Sequence, residues 1–385
     1  MWYSNGKDTD IALWILLTTT ALVAFAGAAA ADGHTSVSHA LSATLGYNNE
    51  VDAIGEDGFF WEGNLKTTAA AALDNGLTAG AYFEITVSGD DAAAGSSDAG
   101  NALVASDFVL SLTSETASLY FGDTAPAGKK YFSAAGDMES DGFSTDSDSA
   151  VLRGDVSFGG MNGSVSYIMD DASNTAEQLA VGLGGSFGSV TVGLGYQEAT
   201  TYVDAEGDFN NSAVMGVSAS TTVAGATITA AYADDSNDGV GQSGVAQTST
   251  AIQVSYPMGP VTATAYYSME QVNGVDAVAG DNMGLTLAYA QDAVAVTLKV
   301  RDEQGRNEWN LEGSYDMGNG ATILAGALNE NEGADADFYI GGTYDLGGGA
   351  SILAVYADDK DADQGDEIGS GEYDPGMTVA VSFTF

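Results

Sequence analysis

Apolar and polar residues alternate along most of this chain, and the alternation is clearest over residues 377–385. Every second residue of that segment is apolar, namely Met377, Val379, Val381, Phe383 and Phe385, and the residues between them are small or polar. Successive side chains of a β-strand point to opposite faces, so the segment predicts a strand with one apolar face. A water-soluble sheet covers such a face, whereas a barrel in lipid turns it outward. The pattern therefore favours an all-β, transmembrane antiparallel β-barrel.

The same period of two recurs in many other segments of the chain. Representative strands with one apolar face are 77–87, 190–196, 294–300 and 309–315. Short turns rich in glycine, asparagine and aspartate alternate with longer polar loops; clear examples are 74–76, 159–163, 316–320 and 345–349. Barrels of bacterial outer membranes have short turns at one end and longer loops at the other. Counting the hairpins directly predicts about 20 strands.

The first 31 residues predict a secretory signal peptide that is removed before folding. Residues 11–26 are apolar and are followed by an alanine-rich stretch, in which Ala29 and Ala31 are the small residues typical of a cleavage site. The alternative is a single membrane anchor, but the apolar run is shorter than the ~20 residues that a helical span needs. We therefore expect one barrel domain over residues 32–385, with no separate plug or passenger domain before its first strand.

Composition narrows the class of protein further. Hydrophobic residues make up 45% of the chain, and charged residues make up only 16%. No stretch after residue 31 is apolar over the length of a transmembrane helix. A chain of this kind can lie within a membrane as a closed barrel, because its backbone polar groups are then paired between strands. The chain has no cysteine, which excludes disulfides and thiolate metal sites.

The charge of the chain restricts its partners. There are 54 acidic and nine basic residues, which gives a formal net charge of −45. Nucleic acid and anionic headgroups repel such a chain, so we expect neither as a partner. Residues 234–239 place oxygen-bearing side chains and a glycine as a calcium loop does, but the last position is Val245 where a glutamate is required. We expect no required cofactor and no specific metal site, although the acidic loops could bind Ca²⁺.

Four basic residues are predicted to face the lumen of the barrel. If the apolar faces contact lipid, the alternate residues point inward, and these include Lys66, Arg153, Lys299 and Arg301. A base on the lipid face would cost about 2–4 kcal/mol at the middle of the bilayer, so even a purely structural base favours the lumen. Two roles remain open for these four residues. They pair with neighbouring carboxylates across strands, or they act on permeating solutes.

Several segments together resemble the general porins of alphaproteobacteria. They are the alanine-rich segment that ends at Asp32, the glycine-rich hairpins 185–196 and 344–352, and the end of the chain at Phe385. The resemblance implies the outer membrane of a Gram-negative bacterium and a homotrimer of barrels, each of about 16 strands. It also implies a water-filled pore that the third loop narrows. Phe383 and Phe385 would then be the terminal residues that the barrel-assembly machinery recognises.

The segment from Asp123 to about Asp148 resembles the third loop of that family. It carries Lys129, Lys130 and the acidic residues Asp123, Asp137, Glu139, Asp141, Asp146 and Asp148. In the family, the acids of this loop face basic residues on the wall. Opposed charges in a narrow pore create a field that orders polar solutes and filters them by charge. With the excess of acids, we expect passive diffusion of small hydrophilic solutes and ions, with a preference for cations. An ordinary exposed acidic loop is the alternative.

Other classes of function fit the sequence less well. The only histidines, His34 and His39, lie near the predicted start of the mature chain, with no nucleophile motif beside them. A hydrolase normally needs a histidine next to its nucleophile, so we do not expect an enzyme. Two alternatives to a diffusion porin remain. One is a substrate-specific outer-membrane channel. The other is an acidic soluble or surface β-protein of the adhesin kind, which would also have the acidic composition and the alternation of apolar and polar residues.

Overall fold

The structure of the protein is a computed structural model, and it describes eleven segments of the chain. These are residues 35–49, 58–89, 102–145, 150–170, 175–201, 210–239, 244–277, 280–329, 336–358, 368–371 and 373–385. The predicted signal peptide, His34, Asp146 and Asp148 lie outside the described residues. Among the helices of the described segments, none is long and apolar enough to cross a membrane.

Nearly all of the described chain is β-strand. The strands are β1 (Thr35–Asn48), β2 (Gly58–Ala72), β3 (Thr78–Gly89), β4 (Ala102–Thr113), β5 (Ala117–Gly122), β6 (Val151–Phe158), β7 (Met161–Asp170), β8 (Thr175–Phe187), β9 (Val190–Gln197), β10 (Val214–Val223), β11 (Ala226–Asp235), β12 (Gln247–Met258), β13 (Val261–Val272), β14 (Val275–Asp276), β15 (Asn282–Gln291), β16 (Val294–Glu303), β17 (Arg306–Gly318), β18 (Ala321–Asn329), β19 (Asp337–Gly347), β20 (Ala350–Asp358) and β21 (Gly376–Thr384). A short helix, α1 (Ala127–Tyr131), follows β5.

The strands form one closed antiparallel barrel. Consecutive strands pair with each other, and β21 pairs back onto β1, so that Phe383 lies opposite Ala43. The two residues of β14 only extend the hairpin at the end of β13, and β13 pairs directly with β15. Twenty strands therefore form the wall. The count of hairpins is confirmed, and the smaller number implied by family resemblance is wrong, because every predicted hairpin supplies two strands of the hydrogen-bonded wall.

The two faces of the wall differ as the alternation predicts. On β21, Met377 and Val379 are outward and exposed, whereas Thr378 and Ala380 point into the barrel and are buried. Phe158 at the end of β6 is 88% exposed on the outer face, which for a soluble protein would be an unfavourable contact with water. The outward apolar face continues around the barrel. This distribution is the one that a lipid solvent requires.

Tight turns at one end of the barrel fix the register of the hairpins. Between β10 and β11 the turn consists of Ala224 and Gly225, with φ of 51° and 87°. Two residues with positive φ give the turn a twist that matches the twist of the flanking strands. The connections at the other end are longer. The segment that joins β5 to β6 is one of them, and it turns into the barrel instead of covering its rim.

Candidate pore constriction

Residues 123–145, here called the inner loop, line much of the lumen. The loop leaves β5 at Asp123, whose backbone N–H donates to the carbonyl of Phe108 at 2.8 Å. It then forms α1, which packs against β7, β8 and β9. Further along, it contacts the inner face of each wall strand from β10 to β15, and it returns to β9 at Ser144. The loop therefore lies along the wall for about half of the barrel.

Five glycines on the inner face of the wall make room for the first part of the loop. They form what we call the glycine floor, and they are Gly182, Gly184, Gly193, Gly195 and Gly216. A Cβ on Gly193 would lie 1.9 Å from the carbonyl oxygen of Tyr131, and one on Gly182 would lie 2.0 Å from that of Ala127. Real Cβ atoms do not approach oxygen so closely, so a side chain at either position would displace α1 from the wall. The glycines allow the backbone of α1 to contact the strands directly.

Small and polar residues hold the rest of the loop. Ala135 and Met138 pack on three alanines of the wall; these are Ala231, Ala233 and Ala251. The backbone N–H of Ser140 donates to the hydroxyl of Ser249 at 2.9 Å, and that of Ser144 donates to the side-chain oxygen of Gln197 at 2.9 Å. Both side chains that accept these bonds, those of Ser249 and Gln197, are buried. Burial makes each hydrogen bond costly to lose.

The tip of the inner loop is fastened to β15 by one asparagine. The side-chain N–H groups of Asn282 donate to the carboxylate of Glu139 at 2.7 Å and to the carbonyl of Asp137 at 3.2 Å. The side-chain oxygen of Asn282 accepts a hydrogen bond from the backbone N–H of Gln304 at 2.9 Å. Asn282 is fully buried, and both the nitrogen and the oxygen of its side-chain amide are hydrogen-bonded. It therefore fixes the position of the two acidic residues at the tip.

The structure brings three of the predicted acidic residues together at this tip. Burial raises the pKa of Asp141 to about 6; nearby Lys129 opposes the shift, and Asp137 and Glu270 add to it. Burial also raises the pKa of Asp137, against the attraction of Arg301. Glu139 is exposed. Asp123 lies apart from them, at the start of the loop, where its carboxylate accepts a hydrogen bond from the backbone of Phe108.

Two of the predicted lumen bases pair with carboxylates directly across the sheet. Lys66 of β2 lies 3.0 Å from Glu84 of β3, and the Lys66 side chain is about half exposed. Arg301 of β16 pairs with Glu308 of β17 and lies 3.6 Å from Glu303. Each of these pairs contains a buried carboxylate and a base that water can reach. Both pairs lie on neighbouring strands, and they leave little uncompensated positive charge at these two positions.

Arg153 is placed differently, beneath the start of the inner loop. Its side chain is only 8% exposed and lies 3.1 Å from Asp155. The guanidinium also donates to the carbonyl of Ala125 and stacks over the ring of Tyr120 at 4.9 Å. Lys130 of α1 binds the same carboxylate, Asp155, at 2.6 Å. The geometry gives Arg153 and Asp155 a role in fastening the loop.

The remaining predicted residues occupy the lumen and the seam of the barrel. Lys299 is exposed, and within the described segments it has no carboxylate in ion-pair range. At the seam, the rings of Phe383 and Phe385 stack with centroids 6.3 Å apart on the outer face. The backbone N–H of Phe385 donates to the carbonyl of Leu41 at 2.8 Å. In the described part of the chain, no group of three or more potential ligands could hold a metal ion.

Reasoning from the sequence missed the residues that position the loop. The glycine floor does leave a signal, because glycine occupies consecutive inward positions of β8 and again of β9. An inward glycine lacks the side chain that would fill a lumen, so a row of them indicates that another backbone packs there. Asn282 and Gln197 leave no such signal, since isolated amides occur on any polar face.

A closed barrel with an outward apolar face and an inward-folded acidic loop defines a β-barrel channel of a membrane. The chain also matches the family model described as Gram-negative porin over residues 18–364. The protein therefore belongs to the Gram-negative porin family, and it is an outer-membrane porin channel.

Solved structures of porins match this chain over most of its length. Two variants of the porin of Rhodopseudomonas blastica are 16% identical to this chain, with TM-scores of 0.40 and 0.39, and each comparison covers 91% of this chain and 100% of that one. A further variant of that porin is 18% identical, with a TM-score of 0.39 and the same coverage. Among curated proteins, none matches this sequence. The family assignment rests on the match of the sequence to the family model, and it points to a channel and not to an enzyme.

Proposed function

We propose that this porin is a passive diffusion channel for small hydrophilic solutes and ions, and that it prefers cations. The observation that carries the proposal is the balance of charge along the lumen. Lys66, Arg153 and Arg301 each lie beside a carboxylate, so their charge is compensated locally. The acids at the tip of the inner loop add negative charge to the lumen, close to Arg301. A fixed excess of negative charge in a narrow pore raises the local concentration of cations.

Reversal potentials in a planar bilayer test this proposal. With a KCl gradient across purified, refolded protein, we expect potassium to be more permeant than chloride. The double variant Asp137→Asn with Glu139→Gln should lower that ratio, because it removes two charges from the tip and keeps the size of both side chains. Asp316→Asn, at the end of β17, is the matched control and should leave the ratio unchanged. Greater permeability to chloride, or no conductance from folded and inserted protein, would overturn the proposal.

We also propose that three copies of the chain associate through the outer face of β1–β3. Near the β2–β3 turn, the outward residues of these strands are small, such as Ala69 and Ala81. His39 lies on the same face and contacts the hydroxyl of Thr67 at 3.1 Å, while its other ring nitrogen is shielded and has no hydrogen-bond partner in the described residues. Placing an imidazole against hydrocarbon costs free energy, and the cost is smaller when a protein surface covers the ring. A second copy of the chain is the partner that the family resemblance implies.

The oligomeric state in detergent tests the association. Light scattering should give the mass of three chains for the native protein and of one chain for Ala81→Trp, because the indole would separate the surfaces. Ala325→Trp is the control; it places the same side chain on the outer face of β18 and should leave the trimer intact. A monomeric native protein that conducts would refute the trimer without refuting the channel.

Two expectations about partners stay predictions. The first is that the barrel-assembly machinery recognises Phe383 and Phe385. Phe385→Ala should therefore slow assembly in cells. Phe158→Ala, which removes an aromatic ring elsewhere on the outer face, is the control and should slow assembly less. Binding of Ca²⁺ by acidic loops is the second. Asp235 at the end of β11 and Asp238 in the loop after it already accept hydrogen bonds from backbone N–H groups at 2.7 and 3.1 Å. Titration calorimetry of the refolded protein with CaCl₂ would measure any affinity.

A further inference from the structure

Several inward-facing residues of β18–β20 are apolar, which is unusual for a wall in contact with water. They are Leu324 and Leu328 of β18 and Leu353 and Val355 of β20. Leu328 and Val355 are only 5% and 2% exposed. Apolar side chains leave water when another apolar surface covers them. These inward residues therefore require a cover inside the lumen.

That cover is a segment of the chain between β20 and β21. Residues 368–371 and 373, here called the lumen arm, fold against these strands, and Ile368 is 6% exposed in the same apolar cluster. Ile368 and Tyr373 exchange two backbone hydrogen bonds of 3.0 and 3.1 Å, so the arm is a small hairpin of its own. Ser370 and Gly371 at its turn remain exposed. The arm is a second part of the chain that folds into the barrel.

A tyrosine and a glutamate of the wall hold the arm in place. The ring of Tyr339 lies between two glycines: a Cβ on Gly326 of the wall would lie 2.3 Å from it, and one on Gly369 of the arm would lie 2.4 Å from it. Its hydroxyl donates to the carboxylate of Glu312 at 2.7 Å. The same carboxylate oxygen accepts a hydrogen bond from the backbone N–H of Ser370 at 2.7 Å. Glu312 thus connects the wall and the arm through one buried charge.

The inner loop and the lumen arm together cover most of the wall. In the described residues, the contacts of the inner loop fall on the strands from β4 to β15, and those of the arm fall on β17–β20. Between them, Arg301 and Glu308 lie close to Asp137 at the tip of the inner loop. The inner faces of β1–β3, together with that of the neighbouring β21, form the rest of the circumference. Glu62, Lys66 and Thr68 on β2 are exposed there.

We infer that the lumen arm is a second constriction, which Glu312 positions and which, together with the inner loop, confines the water-filled passage to the side of β1–β3. This inference rests on the proposed diffusion function and adds a determinant of the size of permeant solutes. A solute that passes the inner loop on the side of β17–β20 meets the arm. The arm narrows the channel and so acts on the size of permeant solutes, whereas the tip of the inner loop acts on their charge.

Reaction of single cysteines with a charged methanethiosulfonate tests the inference without any measurement of conductance. The native chain has no cysteine, so one substitution gives one reporter. In detergent micelles, where the reagent enters from both ends, Thr68→Cys on β2 should react quickly. Val355→Cys beneath the arm should react slowly, and it should become fast when combined with Ile368→Asp, which puts a charge into the apolar cluster. Equal rates for the two single variants would overturn the inference.

Conductance and solute size provide the second test. Displacing the arm by Ile368→Asp should increase single-channel conductance by roughly a factor of two and admit raffinose as well as glucose in liposome swelling, since flow through an aqueous pore follows its open cross-section. Gly369→Ala should act in the same direction, because its Cβ meets the ring of Tyr339. Gly347→Ala is the matched control, a glycine of positive φ with open space around it.

The outcomes separate the two claims. A native protein that does not conduct contradicts the diffusion function. A native protein that conducts, with Ile368→Asp unchanged in conductance and in solute size, contradicts the role of the arm alone. A shift in the mobility of unheated samples on a gel would show that a variant has failed to form the barrel; Gly369→Ala, which introduces no charge, then replaces Ile368→Asp.

Discussion

Gly195 on the inner face of β9 and Gly128 in α1 are in backbone contact. A Cβ built on Gly195 would lie 2.0 Å from the carbonyl oxygen of Gly128. The inner loop therefore lies against the wall only because neither residue has a side chain. The position of the loop, and with it the width of the pore, depends on this contact.

Replacing Gly195 by alanine should push α1 toward the pore axis. We expect lower single-channel conductance with more frequent closures, and a loss of about 1–3 kcal/mol of stability, the usual cost of overpacking. Single-channel recording and thermal unfolding measure the two effects. Gly154→Ala is the control, because Gly154 faces outward on β6 with open space around it. If both variants conduct like the native protein, the glycine floor does not set the position of the loop.

Removing Asn282 should free the tip of the inner loop. Asn282→Ala loses the two hydrogen bonds to Asp137 and Glu139 and leaves the partly buried backbone N–H of Gln304 without its acceptor. We expect noisier open-channel current and a lower potassium-to-chloride permeability ratio, because the two acids lose their fixed position. Thr286→Ala, on the same face of the same strand, should change neither. An unaltered ratio in Asn282→Ala would show that the tip acids do not govern selectivity.

The raised pKa of Asp141 predicts a pH dependence near pH 6. The pKa of Asp141 in the folded protein is about 6, above the ordinary value of 3.8. As the pH falls from 7 to 5, the folded state therefore takes up a proton that the unfolded chain does not yet bind. Stability should therefore rise as the pH falls from 7 to 5, and the preference for cations should weaken as the carboxylate becomes neutral. Lys129, Asp137 and Glu270 are the charged groups around it.

Asp141→Asn provides the test of that dependence. The variant should have nearly constant selectivity between pH 7 and 5, at the level that the native protein reaches at low pH. Reversal potentials at a series of pH values measure this. If the selectivity of Asp141→Asn still changed with the same pH midpoint as that of the native protein, another residue would be responsible for the titration.

Replacement by methionine should destabilise the protein at Arg153 but not at Lys299. Arg153→Met leaves the carboxylate of Asp155 paired with Lys130 and takes away the donor to the carbonyl of Ala125. We therefore expect a loss of about 1–3 kcal/mol of stability, the usual cost of a buried polar group that loses its hydrogen-bond partner. Lys299→Met should leave stability unchanged, because Lys299 is exposed, and should increase the preference for cations. Heat-induced unfolding on gels and reversal potentials measure the two effects. Equal stability of both variants would contradict the fastening role of Arg153.

The local pattern of the chain was sufficient to predict the wall of the barrel. On β21 and β16 the apolar residues fall on alternate positions, and the period of two determines which face meets lipid. Asparagine and glycine in the turns mark the ends of the hairpins, so that counting them gave the number of strands. The inward position of Lys66, Arg153, Lys299 and Arg301 followed from the same parity. These properties depend on residues close together in sequence.

Only the tertiary structure decided what the inward residues do. Arg153 and Arg301 have the same parity, yet one fastens the start of the inner loop and the other pairs with Glu308 across the sheet. The glycine floor, the anchor Asn282 and the lumen arm held by Glu312 join residues that lie tens to hundreds of positions apart. Alternation along a strand specifies the face on which a side chain lies, but closure of the barrel decides which distant backbone or carboxylate that side chain meets.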